Sequence, residues 1–242
     1  MLRRRDLLKV GMLASVALPG LAIAANHETH LPGVSRLAPI AQGGVSGLAT
    51  TAAEALAKLL AGNRRYLQGD SSELRRMADR RAAVAAHQEP FATIVGCSDS
   101  RVPPEIVFDH GLGDLFVVRT AGHVIDAAAI GSIEYAADHL HTPIILVLGH
   151  KACGAVSATV QAVQGRDVPE YLYRLISEIG PAAHAGLALD GDPVENAVRA
   201  NVRLTVDELA ASRPILAGLA ESGTLGIVGA YYDLDTGEVS LV

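Results

Sequence analysis

No tryptophan occurs in this chain, cysteine occurs only twice, and acidic residues outnumber basic ones by 26 to 20. Each shortage excludes something. A formal net charge of −6 argues against nucleic acid and anionic membrane surfaces as partners, because both select basic protein faces. The two cysteines, Cys97 and Cys153, are not in Cys-x-x-Cys spacing, which argues against a thioredoxin-type redox pair. No internal repeat or low-complexity tract stands out beyond generous alanine. The apolar stretch from Val10 to Ala24 falls short of the ~20 residues of a membrane span and is broken by Pro19-Gly20.

That stretch follows Arg3-Arg-Arg5-Asp-Leu-Leu-Lys9 and ends in Ala22-Ile-Ala24. A basic head, a short apolar region and an Ala-x-Ala site describe a removed export signal over residues 1–24, with a twin-arginine pair. The expected destination is the periplasm or another exported location, with no stable membrane anchor once the signal is gone. Residues 25–49, with Pro32, Pro39 and Gly43-Gly-Val-Ser-Gly47, read as a loose lead-in, leaving 50–242 as one domain.

Half of the residues are apolar, enough for a substantial core. Thr51-Ala-Ala-Glu54 is a capping box, and Leu56, Leu59, Leu60 and Leu67 at helical spacing predict an amphipathic helix behind it. Phe91 to Gly96, Asp114 to Arg119 and Pro143 to Leu148 are strand candidates, Gly149 being taken as a break. Helices are expected over Ala127–Leu140, Ala155–Val163 and, opened by Asp192-Pro193, Asp192–Ser212. Two strands, Leu225–Asp233 and Glu238–Val242, flank a hairpin turn at Asp235-Thr-Gly237. The alternation predicts an α/β fold: a central, mostly parallel sheet flanked by helices, with an antiparallel edge strand.

Both cysteines leave apolar runs and have other metal-binding side chains beside them. Cys97-Ser-Asp99-Ser-Arg101 is followed, after 48 residues, by His150-Lys-Ala-Cys153. Zinc takes thiolate and imidazole ligands in tetrahedral sites, and a catalytic site keeps one position open. Cys97, His150 and Cys153 supply three ligands, and the fourth position falls to water or to Asp99. A helical turn would put His150 and Cys153 on one face. Both sets leave the carboxyl ends of central strands, where open α/β sheets place their crevices. Two rivals are a Cys97–Cys153 disulfide and a purely structural ion closed by Asp99.

Cys97-Ser-Asp-Ser-Arg-Val-Pro-Pro-Glu105 together with Gly149-His-Lys-Ala-Cys-Gly154 resembles the β-class carbonic anhydrases, from about Gln88 to Val160 and more weakly to the end. The resemblance implies reversible hydration of carbon dioxide to bicarbonate and a proton, on one zinc per subunit, by a subunit that assembles into dimers or tetramers. It assigns the zinc ligands to Cys97, His150 and Cys153, and the catalytic dyad to Asp99 and Arg101. It places the substrate pocket at Gln88, Phe116, Tyr135 and Gly154, the last through its backbone amide. Asp99 is the fourth ligand in the family's closed state, if Arg101 releases it. Amino-terminal helices in this family wrap a neighbouring subunit. The absence of tryptophan puts the family's tryptophan-based inhibitory bicarbonate site in doubt here, and Arg119-Thr-Ala-Gly-His123 leans toward a bacterial subtype. Hydrolysis of carbonyl sulfide or carbon disulfide, and a non-catalytic zinc or bicarbonate-binding role, are the alternatives.

Overall fold

The computed structural model describes residues 51–71 and 77–242, with side chains omitted for 77–79. The export signal and the lead-in therefore lie outside the described residues. Five strands form one sheet in the order β2-β1-β3-β4-β5: β1 (Ala92–Cys97), β2 (Leu115–Thr120), β3 (Ile144–His150), β4 (Gly226–Tyr232) and β5 (Val239–Leu241). All neighbours are parallel except β4 and β5. This is the expected parallel sheet with an antiparallel edge.

Every residue of β1 and β3 is buried. A strand covered on both faces needs apolar side chains throughout, which is why these two appear as unbroken runs. One face carries α1 (Ala52–Leu67) and α3 (Pro104–Val107) over Leu59, Ile94, Phe108, Leu146 and Leu148. The other carries α4 (Ala127–Glu134) and α7 (Pro193–Ala211) over Val95, Ile133, Ile145, Val147 and Val202. A third cluster joins α5 (Gly154–Val163), α6 (Tyr173–Leu187) and α7 around Cys97, Cys153, Val156, Ile179 and Tyr231. Two short helices, α2 (Met77–Ala83) and α8 (Leu216–Glu221), complete the α-helices among the described residues.

The helix ends follow their caps. Thr51 Oγ1 accepts from the Glu54 amide at 3.2 Å while Glu54 accepts from the Thr51 amide at 2.8 Å, the reciprocal capping box. Asp192 accepts from Val194 and Glu195 at the start of α7, with Pro193 in the first turn.

Several expectations need correction. Gly149 does not break β3. It lies inside the strand, where a Cβ would come within 2.5 Å of Val202 and 2.9 Å of Val198, so its bare backbone lets α7 cross close to the sheet. His150 and Cys153 share no helical face. His150 ends β3, Ala152 turns the chain at φ 53°, and Cys153 is the residue before the first turn of α5. The helix from Ala127 loosens into a π turn over Tyr135–His139. On α1 the buried face is Ala55, Leu59, Gly62 and Asn63, and Leu67 is exposed. From that face Asn63 donates to the carbonyls of Val107 and Gly237 and accepts from the Val239 amide. Helix α6, absent from the sequence expectation, packs between α5 and α7. A Cβ at its Gly186 would collide with the Ala197 backbone at 2.5 Å.

Candidate metal centre

The chain passes from β1 to β2 on one side of the sheet and then to β3 on the other, so the strand order reverses between β1 and β3. Cys97 ends β1 and His150 ends β3. Connections diverge at such a switch point and leave a crevice beyond the carboxyl ends of the strands. Cys153 reaches the same crevice from the start of α5.

The ligand atoms of Cys97, His150 and Cys153 lie within 4.8 Å of one another, and all three residues are buried. The two sulfurs are 4.0 Å apart and both cysteines are free, which removes the disulfide reading. Tetrahedral bonds of ~2.3 Å put two sulfurs roughly 3.8 Å apart, so the spacing suits a metal ion. His150 Nδ1 lies 2.9 Å from the Lys151 carbonyl, and its buried Nε2 has no hydrogen-bond partner. A ring nitrogen bonded to a carbonyl carries the hydrogen, leaving Nε2 with a free lone pair beside the sulfurs. Cys153 beside Cys97 pulls the Cys97 thiol well below its usual range, despite burial, with further help from His150 and the Gly122 amide. The same contact pushes the Cys153 thiol up, so without a metal the pair favours a single negative charge.

Asp99 sits at the rim of this cluster, its Oδ2 3.9 Å from His150 Nε2. Arg101 clamps it: Nε donates to Oδ1 at 2.9 Å, a terminal nitrogen donates to Oδ2 at 2.7 Å, and the Arg101 amide donates to Oδ1 at 2.9 Å. Those bonds hold the Asp99 carboxyl well below the usual carboxylate range. Arg119, which the sequence reading did not single out as functional, pins the loop from below. It donates to the carbonyls of Cys97 at 2.8 Å and Asp99 at 2.6 Å. A cation ending a strand candidate was the available signal. Lys151 bridges to Asp235 at 2.6 Å and Asp233 at 3.5 Å, tying the turn after β3 to the β4–β5 connection.

The structure thus brings Cys97, Asp99, Arg101, His150 and Cys153 together, with Gly154 following at the first turn of α5. It does not bring the other three pocket candidates to them. Phe116 pairs with Thr93 in the sheet, whereas Cys97 pairs with Thr120. Four residues of strand separate those levels, roughly 13 Å. Phe116 and Tyr135 face each other at 6.2 Å between ring centroids, and Tyr135 is 40% exposed. Gln88 is exposed before β1.

Residues 92–239 match the carbonic anhydrase family. The chain belongs to that family. It is 43% identical over 181 residues to carbonic anhydrase 2 of Mycobacterium tuberculosis, covering 74% of this chain and 87% of the relative. A carbonic anhydrase of Mycolicibacterium smegmatis is 44% identical over 182 residues, with 74% and 88% covered. The β-carbonic anhydrase of Coccomyxa, solved with acetazolamide, superposes with a TM-score of 0.62 at 29% identity, covering 77% of this chain and 86% of that one. This is a β-class carbonic anhydrase, an enzyme for the hydration of carbon dioxide. Its relatives favour that reaction over hydrolysis of carbonyl sulfide or carbon disulfide.

Proposed function

We propose that this carbonic anhydrase holds one zinc ion per subunit on Cys97 Sγ, His150 Nε2 and Cys153 Sγ, with Asp99 and Arg101 as its catalytic dyad. The observation carrying this reading is the convergence of two buried sulfurs on an imidazole nitrogen without a partner. Zinc bound there supplies a Lewis acid that brings the acidity of water into the neutral range.

The chain's own residues do the rest. Asp99 accepts the hydrogen of the attacking water and so aims its lone pair at carbon dioxide. Arg101 keeps both carboxylate oxygens engaged and thereby keeps Asp99 off the ligand cluster. Release by Arg101 would let Asp99 close the site as a fourth ligand. The Gly154 amide, in the first turn of α5, offers a donor to bicarbonate where the helix dipole favours an anion.

Gln88, Phe116 and Tyr135 serve the pocket of a second subunit. They lie roughly 13 Å or more from their own ligand cluster by the β2 register, or are exposed, and among the described residues β2 is an unpaired sheet edge. Pairing of this edge with another copy covers the exposed aromatic ring and the open strand together. Self-association into a dimer or tetramer is therefore part of the reading. Export through the twin-arginine pathway to the periplasm follows from residues 1–24. That pathway carries folded proteins, so the thiolates can acquire their metal before meeting an oxidising compartment.

Stopped-flow hydration of the purified chain, with metal analysis before and after chelation, tests the proposal. Activity lost with the zinc and restored by adding it back is expected. Full turnover in metal-free protein would overturn it.

A further inference from the structure

Two buried polar side chains near the site have no part in the mechanism above. Asn201 on α7 is 6% exposed and His123 is 1% exposed. The Asn201 amide nitrogen uses both hydrogens on one turn of chain, donating to the Gly122 carbonyl at 3.0 Å and to His123 Nε2 at 2.9 Å. Because Nε2 accepts, the ring is neutral with its hydrogen on Nδ1. Burial agrees, pushing the His123 pKa from 6.5 down to about 4. His123 Nδ1 has no hydrogen-bond partner, so the pair carries a cost that an apolar pair would avoid.

The turn this pair holds is itself unusual. Gly122 has φ 65° and His123 φ 48°, both in the left-handed region. A Cβ at position 122 would come within 2.7 Å of Ile179 and 3.1 Å of Ala155, so glycine is needed for space as well as for conformation. The turn points the Gly122 amide at a metal-ligand candidate: its N–H donates to Cys97 Sγ at 3.3 Å.

We propose that Asn201 is a positioning residue of the metal centre, clamping the Gly122–His123 turn so that the Gly122 amide stays against the Cys97 sulfur. The inference rests on the zinc reading above. An N–H bonded to a thiolate draws off part of its charge, so the sulfur donates less to the ion and the ion stays a stronger Lewis acid. Such outer partners orient ligands and tune the metal they hold. With two thiolates in the set, this correction has more to do than it would among imidazoles.

Cobalt-substituted protein provides the test, because its sulfur-to-metal absorption band reports the charge on the thiolates independently of activity. Asn201→Leu is expected to move that band to lower energy and to weaken zinc about tenfold or more in chelator competition. Thr205→Val, one turn along the same helix, controls for a general disturbance of α7 and is expected to leave the band in place. An Asn201→Leu or Asn201→Asp band and zinc affinity equal to wild type would overturn the proposal. A wild-type chain that takes up neither cobalt nor zinc would instead overturn the metal reading beneath it. If neither Asn201 variant folds, NMR of the cadmium-loaded wild type decides. Coupling of the Gly122 amide proton to cadmium through Cys97, with slow exchange of the Asn201 side-chain amide, supports the clamp, and absence of both refutes it.

Discussion

The two ends of strand β2 differ in how complete they are. At its carboxyl end, Arg119 binds the Cys97 and Asp99 carbonyls, and the Gly122 amide reaches the Cys97 sulfur. The ligand cluster there is buried and held by bonds from β2, α5 and the loops of one chain. Around Phe116, near the other end, a tilted aromatic pair lies along an open strand edge, with Tyr135 exposed. On the proposed reading, a single chain builds the metal centre and a second subunit completes the pocket. Metal binding and substrate binding should be separable by mutation, one kind depending on the subunit and the other on the assembly.

The largest effect is expected at the first end. Cys153→Ala removes one of three ligands, so zinc content and hydration activity should both vanish in the purified variant. Retention of a full equivalent of metal would show that the cluster is not the binding site. Asp99→Ala should keep the metal and lose activity by about 100-fold or more, the scale for removing one oriented hydrogen-bonding group at a reacting centre. Metal content and turnover measured on the same sample check it, and undiminished turnover would take Asp99 out of the mechanism.

What could be read from the sequence divides along the same line. The ligand ends were legible because β1 and β3 are covered on both faces and had to be continuously apolar, so the polar residues after them marked the crevice. Asp192-Pro193 and the turn at Asp235-Thr-Gly237 were equally direct, since caps and turns are local. Helix α6 was not legible. Its buried face, Ile179, Ala182, Ala183 and Gly186, does fall at helical spacing, but three of the four are alanine or glycine, which mark a core weakly, and Pro181, a helix breaker by type, stands among them. Arg119 and Asn201 were missed as functional residues because their partners are 20 or more positions away. The family resemblance suggested Phe116, but only the register showed how far from Cys97 along the sheet it lies.

A smaller effect is expected across the proposed subunit boundary, with a sharper signature. Phe116→Ala should retain zinc and lose roughly tenfold to a hundredfold in turnover, as mispositioned substrates do. Alone, that could reflect a local packing defect. Unfolding and refolding it together with Cys153→Ala separates the cases, because a hybrid pair would place an intact ligand cluster beside an intact Phe116 from the other subunit. Activity well above the sum of the two parents is expected. A mixture no better than its parents would mean that each pocket is built within its own chain.

The smallest effect on catalysis should come from α1, which contacts neither end of β2 through its buried asparagine. Asn63 joins the helix to the Val107 and Gly237 carbonyls and the Val239 amide, at 3.1, 2.9 and 3.0 Å. Asn63→Ala leaves three buried backbone groups to find new partners, a cost of about 3 kcal/mol at roughly 1 kcal/mol each. For a chain of this size that lowers the melting temperature by roughly 6–12 °C. Zinc content and turnover per folded molecule should remain at the wild-type level, because these bonds hold α1 to α3 and β5 rather than to the ligand loops. If calorimetry shows the expected loss of stability but turnover falls in proportion, α1 also supports the pocket. Its packing would then belong with the assembly-dependent half of the site.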